Sequence, residues 1–162
     1  MKDALQNDVI QEEEDLCRLV ASPGSYNERM RKVTVEAFSL YHRKEDYISV
    51  FRRKHTNDTE LLQLGTIIKV WPPREQKLQQ FRGDCLLKVG EVLKESQYFM
   101  VKAYTKSHRA HAGIHLKKEN GEYYTDQDQQ LIKNEEVIDP RLYTLQIILQ
   151  FIANKRETVL LN

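Results

Sequence analysis

The sequence predicts a mainly β protein with flanking helices: a small antiparallel barrel of five strands with a helix at its C-terminal end. Three observations carry this expectation. Apolar and polar residues alternate over several short stretches, the period of a half-buried strand. Leu62, Leu64, Thr66, Ile68 and Val70 supply five regular positions on one face, the cleanest such signal in the chain. A single long helical pattern then runs from Leu142 to Arg156. The 162 residues fit one domain. Residues 1–31 read as an N-terminal helical extension and residues 32–162 as the barrel with its C-terminal helix, with no linker between them.

Taken in order, Asp8 to Val20 reads as a short helix, because Glu12, Glu13, Glu14 and Asp15 precede Leu16, Leu19 and Val20 and acids favour the positive end of a helix. Pro23 and Gly24 break it. Ser25 and Glu28 match the capping-box spacing, so a brief helix through Arg31 is expected. Lys32 to His42 fits either a helical face or a strand; the β-branched Val33, Thr34 and Val35 favour a strand, with a bulge near Ala37–Phe38. Asp46 to Arg53 alternates as a second strand. Leu62 to Val70 is the third, ended by Pro72 and Pro73. Arg74 to Phe81 reads as a helical connector. Gly83 to Leu93 and Gln97 to Lys106 form a hairpin, with Gly90 relieving a bend. Asn120–Gly121 is a turn signal for a weak hairpin between Ile114–Leu116 and Tyr123–Tyr124. Asp139 and Pro140 occupy the N-cap and first-turn positions of the terminal helix.

Strand, strand, strand, short helix, strand, strand is the order of an OB-fold barrel; an SH3-like barrel and an α+β sheet with helices on one side are the alternatives. The run from Gly83 to Leu93, followed by Phe99-Met100-Val101-Lys102-Ala103, looks like the last two barrel strands of small OB proteins. With the terminal helix added, the chain resembles the smallest, Ten-type, subunit of the CST telomere-capping complex, itself similar to replication protein A. The resemblance implies an accessory subunit in the nucleus, at the telomere. The resemblance further implies that such a subunit binds mainly a larger Stn-type OB-fold partner and, weakly, single-stranded telomeric DNA, and that it works with telomerase or primase.

Two constellations match that expectation. Cations that track phosphates and rings that stack on bases suit single-stranded nucleic acid. They are supplied here by Tyr47, Phe51, Arg52, Arg53 and Lys54, and by Tyr104, Lys106 and Arg109. Arg43, Lys44 and His55 adjoin the first group, and Lys102, Lys117, Lys118 and Tyr98 adjoin the second. The bland reading is a solvated hairpin with its aromatics in the core, and a net charge of +1 argues against a dedicated, tight nucleic-acid binder. The terminal helix carries the other constellation. Leu142, Leu145, Ile147, Ile148, Leu149, Phe151 and Ile152 spread over more than half its circumference, wider than one packing face needs. Leu145, Ile147, Ile148, Phe151 and Ile152 are therefore the expected partner-binding residues, unless the helix is simply buried deep in its own domain.

The chemistry of the remaining residues argues for binding and against catalysis. There is no Gly-rich phosphate loop, no G-x-S-x-G and no HExxH. His108, His111 and His115 lack a thiol or carboxylate companion and read as exposed loop histidines, with no metal and no cofactor expected. Cys17 and Cys85 form no CxxC pair, which points to a reducing compartment. No apolar run is long enough to cross a bilayer. The leading expectation is a non-enzymatic subunit of a single-strand-DNA complex. The alternative is a protein-only adaptor or scaffold subunit. A third reading is an enzyme whose pocket is lined by His108, His111 and glutamates.

Overall fold

Leu16 to Ala21 is a compact apolar run that only Arg18 interrupts, and it becomes the centre of the sheet. The structure is a computed structural model that describes residues 5–40, 46–67, 80–94 and 97–162. Its strands are β1 (Asp15–Ser22), β2 (Tyr26–Asn27), β3 (Lys32–Val33), β4 (Ile48–Arg52), β5 (Gln80–Lys88), β6 (Phe99–Ala103), β7 (His111–Leu116) and β8 (Val159–Leu160). Its helices are α1 (Asp58–Ile67), α2 (Val89–Leu93), α3 (Asp126–Lys133) and α4 (Pro140–Ala153). Six strands form one antiparallel sheet in the order β6-β7-β4-β1-β5-β8, and β2 and β3 pair separately.

The protein is thus mainly β with helices on both faces of the sheet. The sheet is open, with β6 and β8 at opposite edges, and does not close as a barrel. Side chains of alternate residues divide between the faces. Leu16, Val20, Ile48, Val50, Leu87 and Ile114 pack in the larger core with Leu142, Leu145, Leu149 and Ile152 of α4. Cys17, Leu19, Phe51 and Phe81 form a smaller core with Leu61 of α1.

Several sequence expectations are corrected. Asp8 to Val20 does not form one helix. Its second half is β1, because a strand between two neighbours is apolar on both faces and shows no alternation. Ser25 caps no helix; its hydroxyl accepts the Ala21 N–H at 2.7 Å in a turn. Of the strand expected over Lys32 to His42, only β3 exists, and Val35–Phe38 is a 3₁₀ turn that buries Ala37 and Phe38. Its last two residues lie outside those described.

The strand expected from Leu62 to Val70 is, over its described part, α1. Asp58 and Glu60 sit in its first turn, and Asn57 Oδ1 accepts the Glu60 N–H at 2.9 Å. Leu61, Leu62 and Leu64 face the smaller core, and Gly65 lies so close to Phe81 that an added Cβ would fall 2.3 Å from the ring. Ile68 and Val70 lie outside the described residues, as does the expected connector up to Gln79. The strand expected over Gly83 to Leu93 stops at Lys88, where the chain turns into α2 and the Gly90 N–H donates to the Glu12 carbonyl at 2.8 Å.

Other expectations match. The second strand is β4 and the strand after Gln97 is β6, but β6 pairs with β7 while β5 pairs with β1 and β8, so the hairpin expected between them does not form. A bridge between Lys117 and Tyr123 brackets the Asn120–Gly121 turn, where Gly121 has φ +88°. The helix α4 starts at Pro140, with the Asp139 carboxylate accepting the Arg141 N–H.

Candidate functional site: a row of rings along β7

His111, Gly113 and His115 alternate along β7, so all three face the same side of the sheet as the smaller core. Helix α1 and its leucines serve the β1–β5 half of that side. Over β4 and β7 the layer is made of rings. Tyr47 and Tyr104 stack at 4.4 Å with planes 4° apart. They lie over Gly113, where an added Cβ would come within 2.4 Å of the Tyr47 ring. His115 is beside this pair and 4.7 Å from Tyr123. His111 is on its other side, followed by Phe51 and then His108.

The polar atoms of the row are tied to one another. His111 Nδ1 lies 2.9 Å from the Tyr104 carbonyl, which only accepts, so Nδ1 carries the proton. His111 Nε2 then accepts from Ser49 Oγ at 2.8 Å. The Ser49 carbonyl accepts from the buried Arg18. Tyr104 Oη and His115 Nε2 are 2.5 Å apart. Burial, with a smaller contribution from Lys102, holds the His115 imidazole below its usual pKa, and burial pushes the Tyr104 phenol up. At the far end His108 Nε2 is 3.5 Å from Glu60, which also receives Arg109. Among the described residues no three His, Cys, Asp or Glu side chains are grouped to hold a metal ion.

The expected nucleic-acid residues are divided by the fold. Tyr47 and Tyr104 come together and are half-buried. Lys106 and Arg109 are exposed, and Arg109 bonds the His55 carbonyl and Glu60. Arg53 is partly exposed and ion-paired with Asp58 at 2.7 Å, and Lys54 is 3.5 Å from Glu14. Arg52 is a correction: it is fully buried and bonded to Glu14 and Asp8, so it presents no cation to a phosphate. Phe51 is a second correction, since it is 5% exposed and packed in the smaller core, with no face left for a base. Arg43 and Lys44 lie outside the described residues.

The expected partner-binding residues divide by helical face. Leu145 and Ile152 are buried in the larger core, and Ile148 packs partly against it. The first two are therefore not docking residues. Ile147 and Phe151 are 40% and 70% exposed, in line with Tyr143 at 56%.

Sequence reasoning missed Ser49, Tyr123, Tyr143 and the buried placement of His111 and His115. The histidines are not in an exposed loop: the His-x-Gly-x-His spacing is a strand period, and the apolar Ala112 and Ile114 between them fill the opposite face. Among the described residues, no helix is long and apolar enough to cross a membrane. Compared with protein-family models, curated proteins and solved structures, the chain matches none of them.

Proposed function

We propose that this chain is an accessory subunit that docks on a larger protein through the outer face of α4. The observation that carries the proposal is the line Tyr143, Ile147 and Phe151, one helical turn apart and exposed, on a helix whose other face is core. Between Arg141 and Lys155 the helix carries no charged residue at all. A surface helix ordinarily sets charged or polar groups toward water, whereas interface cores are depleted in charge and enriched in aromatics.

Within this class, the resemblance to the smallest CST subunit supplies one specific candidate partner, a larger Stn-type subunit at the telomere. The protein-only adaptor is the reading better supported by the surface, because Arg52 and Phe51 are interior. Support for a weak single-strand contact comes from the stacked Tyr47–Tyr104 pair with Lys102 above Tyr104 and Lys106 nearby. A closed OB-type barrel would require the two edge strands to meet.

The test is co-purification of tagged wild-type chain and the Phe151→Glu and Ile147→Glu variants from the source cells. A stoichiometric partner retained by wild type and lost from both variants, each still folded by circular dichroism, supports the reading. A partner that stays bound to both variants overturns it. Adding single-stranded DNA to the recovered complex separates the telomeric candidate from the adaptor.

A further inference from the structure

The hydrogen bonds around His111 define a second candidate site, on the sheet face opposite α4. The Tyr104 carbonyl fixes the imidazole with its proton on Nδ1 and leaves the Nε2 lone pair aimed at the Ser49 hydroxyl. Nucleophile, base and a group that orients the base are the three parts of an activated-serine constellation. The third part is here a main-chain carbonyl. It holds the tautomer as a carboxylate would, though without a full negative charge to stabilise an imidazolium.

The surroundings keep this geometry in place. Ser49 sits in β4 opposite Gly113 of β7, and its carbonyl is held by Arg18 Nη1 at 2.8 Å. His111 is 6% exposed and flanked by the rings of Tyr47, Tyr104 and Phe51. Ser49 is half-buried and not enclosed. A strand-borne, packed pair is preorganised, the condition under which a positioned base is effective.

We propose that Ser49 is a nucleophile activated by His111, acting on uncharged acyl esters. The class follows from the lining: aromatic rings flank the pair, which suits an apolar acyl group. In the step, Ser49 Oγ forms a bond to the acyl carbon while its proton moves to His111 Nε2. The ester C–O bond breaks, and the alcohol leaves with that proton. Water activated by the same imidazole then hydrolyses the acyl-serine, giving the carboxylic acid and restoring Ser49. This inference does not depend on docking through α4.

The test uses the full chain with a fluorophosphonate probe. There Oγ–P forms, P–F breaks, fluoride leaves and His111 takes the proton. The expected result is a single adduct mapped to Ser49, absent in Ser49→Ala and slowed at least about 100-fold in His111→Gln. No adduct in wild type, or equal labelling of wild type and His111→Gln, overturns the proposal. Ser49→Cys gives an independent readout even if His111→Gln perturbs the fold. Its thiol reacts with iodoacetamide faster than free N-acetylcysteine at the same pH if His111 activates position 49. A rate no faster than the free thiol overturns the proposal. Wild type is the blank, since Cys17 and Cys85 are buried and burial raises both thiol pKa values.

Discussion

Arg52 and Glu14 form a two-pronged ion pair in the interior, with Nε 2.8 Å from Oε1 and an Nη nitrogen 2.8 Å from Oε2. The arginine side chain is 0% exposed and the glutamate 3%. Asp8 adds a third bond from the rim at 2.7 Å. The pair ties the segment ahead of β1 to the end of β4. Removing one partner leaves a buried charge without compensation, which costs about 3–5 kcal/mol. Glu14→Ala and Arg52→Ala are each expected to destabilise by that order in urea melts. The double variant is expected to cost less than the sum of the two.

Acid weakens the same pair. Burial alone raises the Glu14 pKa, but the hydrogen bonds from Arg52 and from the Gln11 backbone outweigh it and hold the carboxyl below its usual value. The Asp8 pKa is lowered first by its bond to Arg52. A depressed carboxylate contributes stability that is complete above its unfolded pKa of about 4.3 for Glu and 3.9 for Asp. That stability is lost as pH falls through the folded value. Chemical denaturation across pH 5 to 2 is expected to show a decline that Arg52→Met flattens.

Asp84 behaves in the opposite sense. It is 1% exposed between β1 and α1, and burial pushes its carboxyl up to about 6, against the thiol bond from Cys17 and the nearby Arg53, which lower it. The unfolded chain releases this proton near pH 3.9. The folded chain keeps it to about 6, so stability falls as pH rises through that window and stays lower above it. Asp84→Asn is expected to raise stability at pH 7.5 by on the order of 2 kcal/mol and to leave pH 4 nearly unchanged. Equal shifts at both pH values contradict this account.

Neighbouring positions on α4 separate core from surface. Leu149 is fully buried, so Leu149→Ala is expected to cost about 2–5 kcal/mol of folding stability. Phe151, 70% exposed, is expected to change stability by less than about 0.5 kcal/mol when replaced by alanine. A thermal-melt comparison of the two variants checks the assignment of the two faces.

Gly83 pins the C-terminal strand. A Cβ there would lie 1.9 Å from the Val159 carbonyl oxygen, a backbone atom that has no room to move while β8 stays paired. Gly83→Ala is expected to release β8, seen as faster amide exchange at Leu161, whose N–H donates to the Arg82 carbonyl, with β1 still protected.

Which elements could be read from sequence follows from how many faces each one buries. β4 and β6 alternate because each has one face on the larger core and one on a more polar layer, and their pattern survives in the residues. β1 hid because it is buried on both sides, so its acids Glu13, Glu14 and Asp15 looked like a helix start. They are in fact ion-pair and backbone partners at the strand's entrance, with Asp15 held by Arg156 and Lys88. For α1, the alternation of Leu62, Leu64 and Thr66 outweighed a usable helix signal, the cap residue Asn57 followed by two acids. The interior role of Arg52 was illegible because its partners are distant in the chain. Ser49 and His111 become a pair only through the β4–β7 register, which no local pattern encodes.

That register has a consequence for how the chain is made. β1, at the middle of the sheet, finds no partner nearby: Leu16 pairs with Arg52 on one side and Leu87 on the other, and β4 waits for β7. Contact order is therefore high, and folding of this topology is slow relative to a helical domain of similar size. A ribosome-bound chain that ends before β4 exposes both edges of the largely apolar Leu16–Ala21 run. The acids just ahead of that run then act as gatekeepers, keeping the nascent strand soluble until its neighbours emerge.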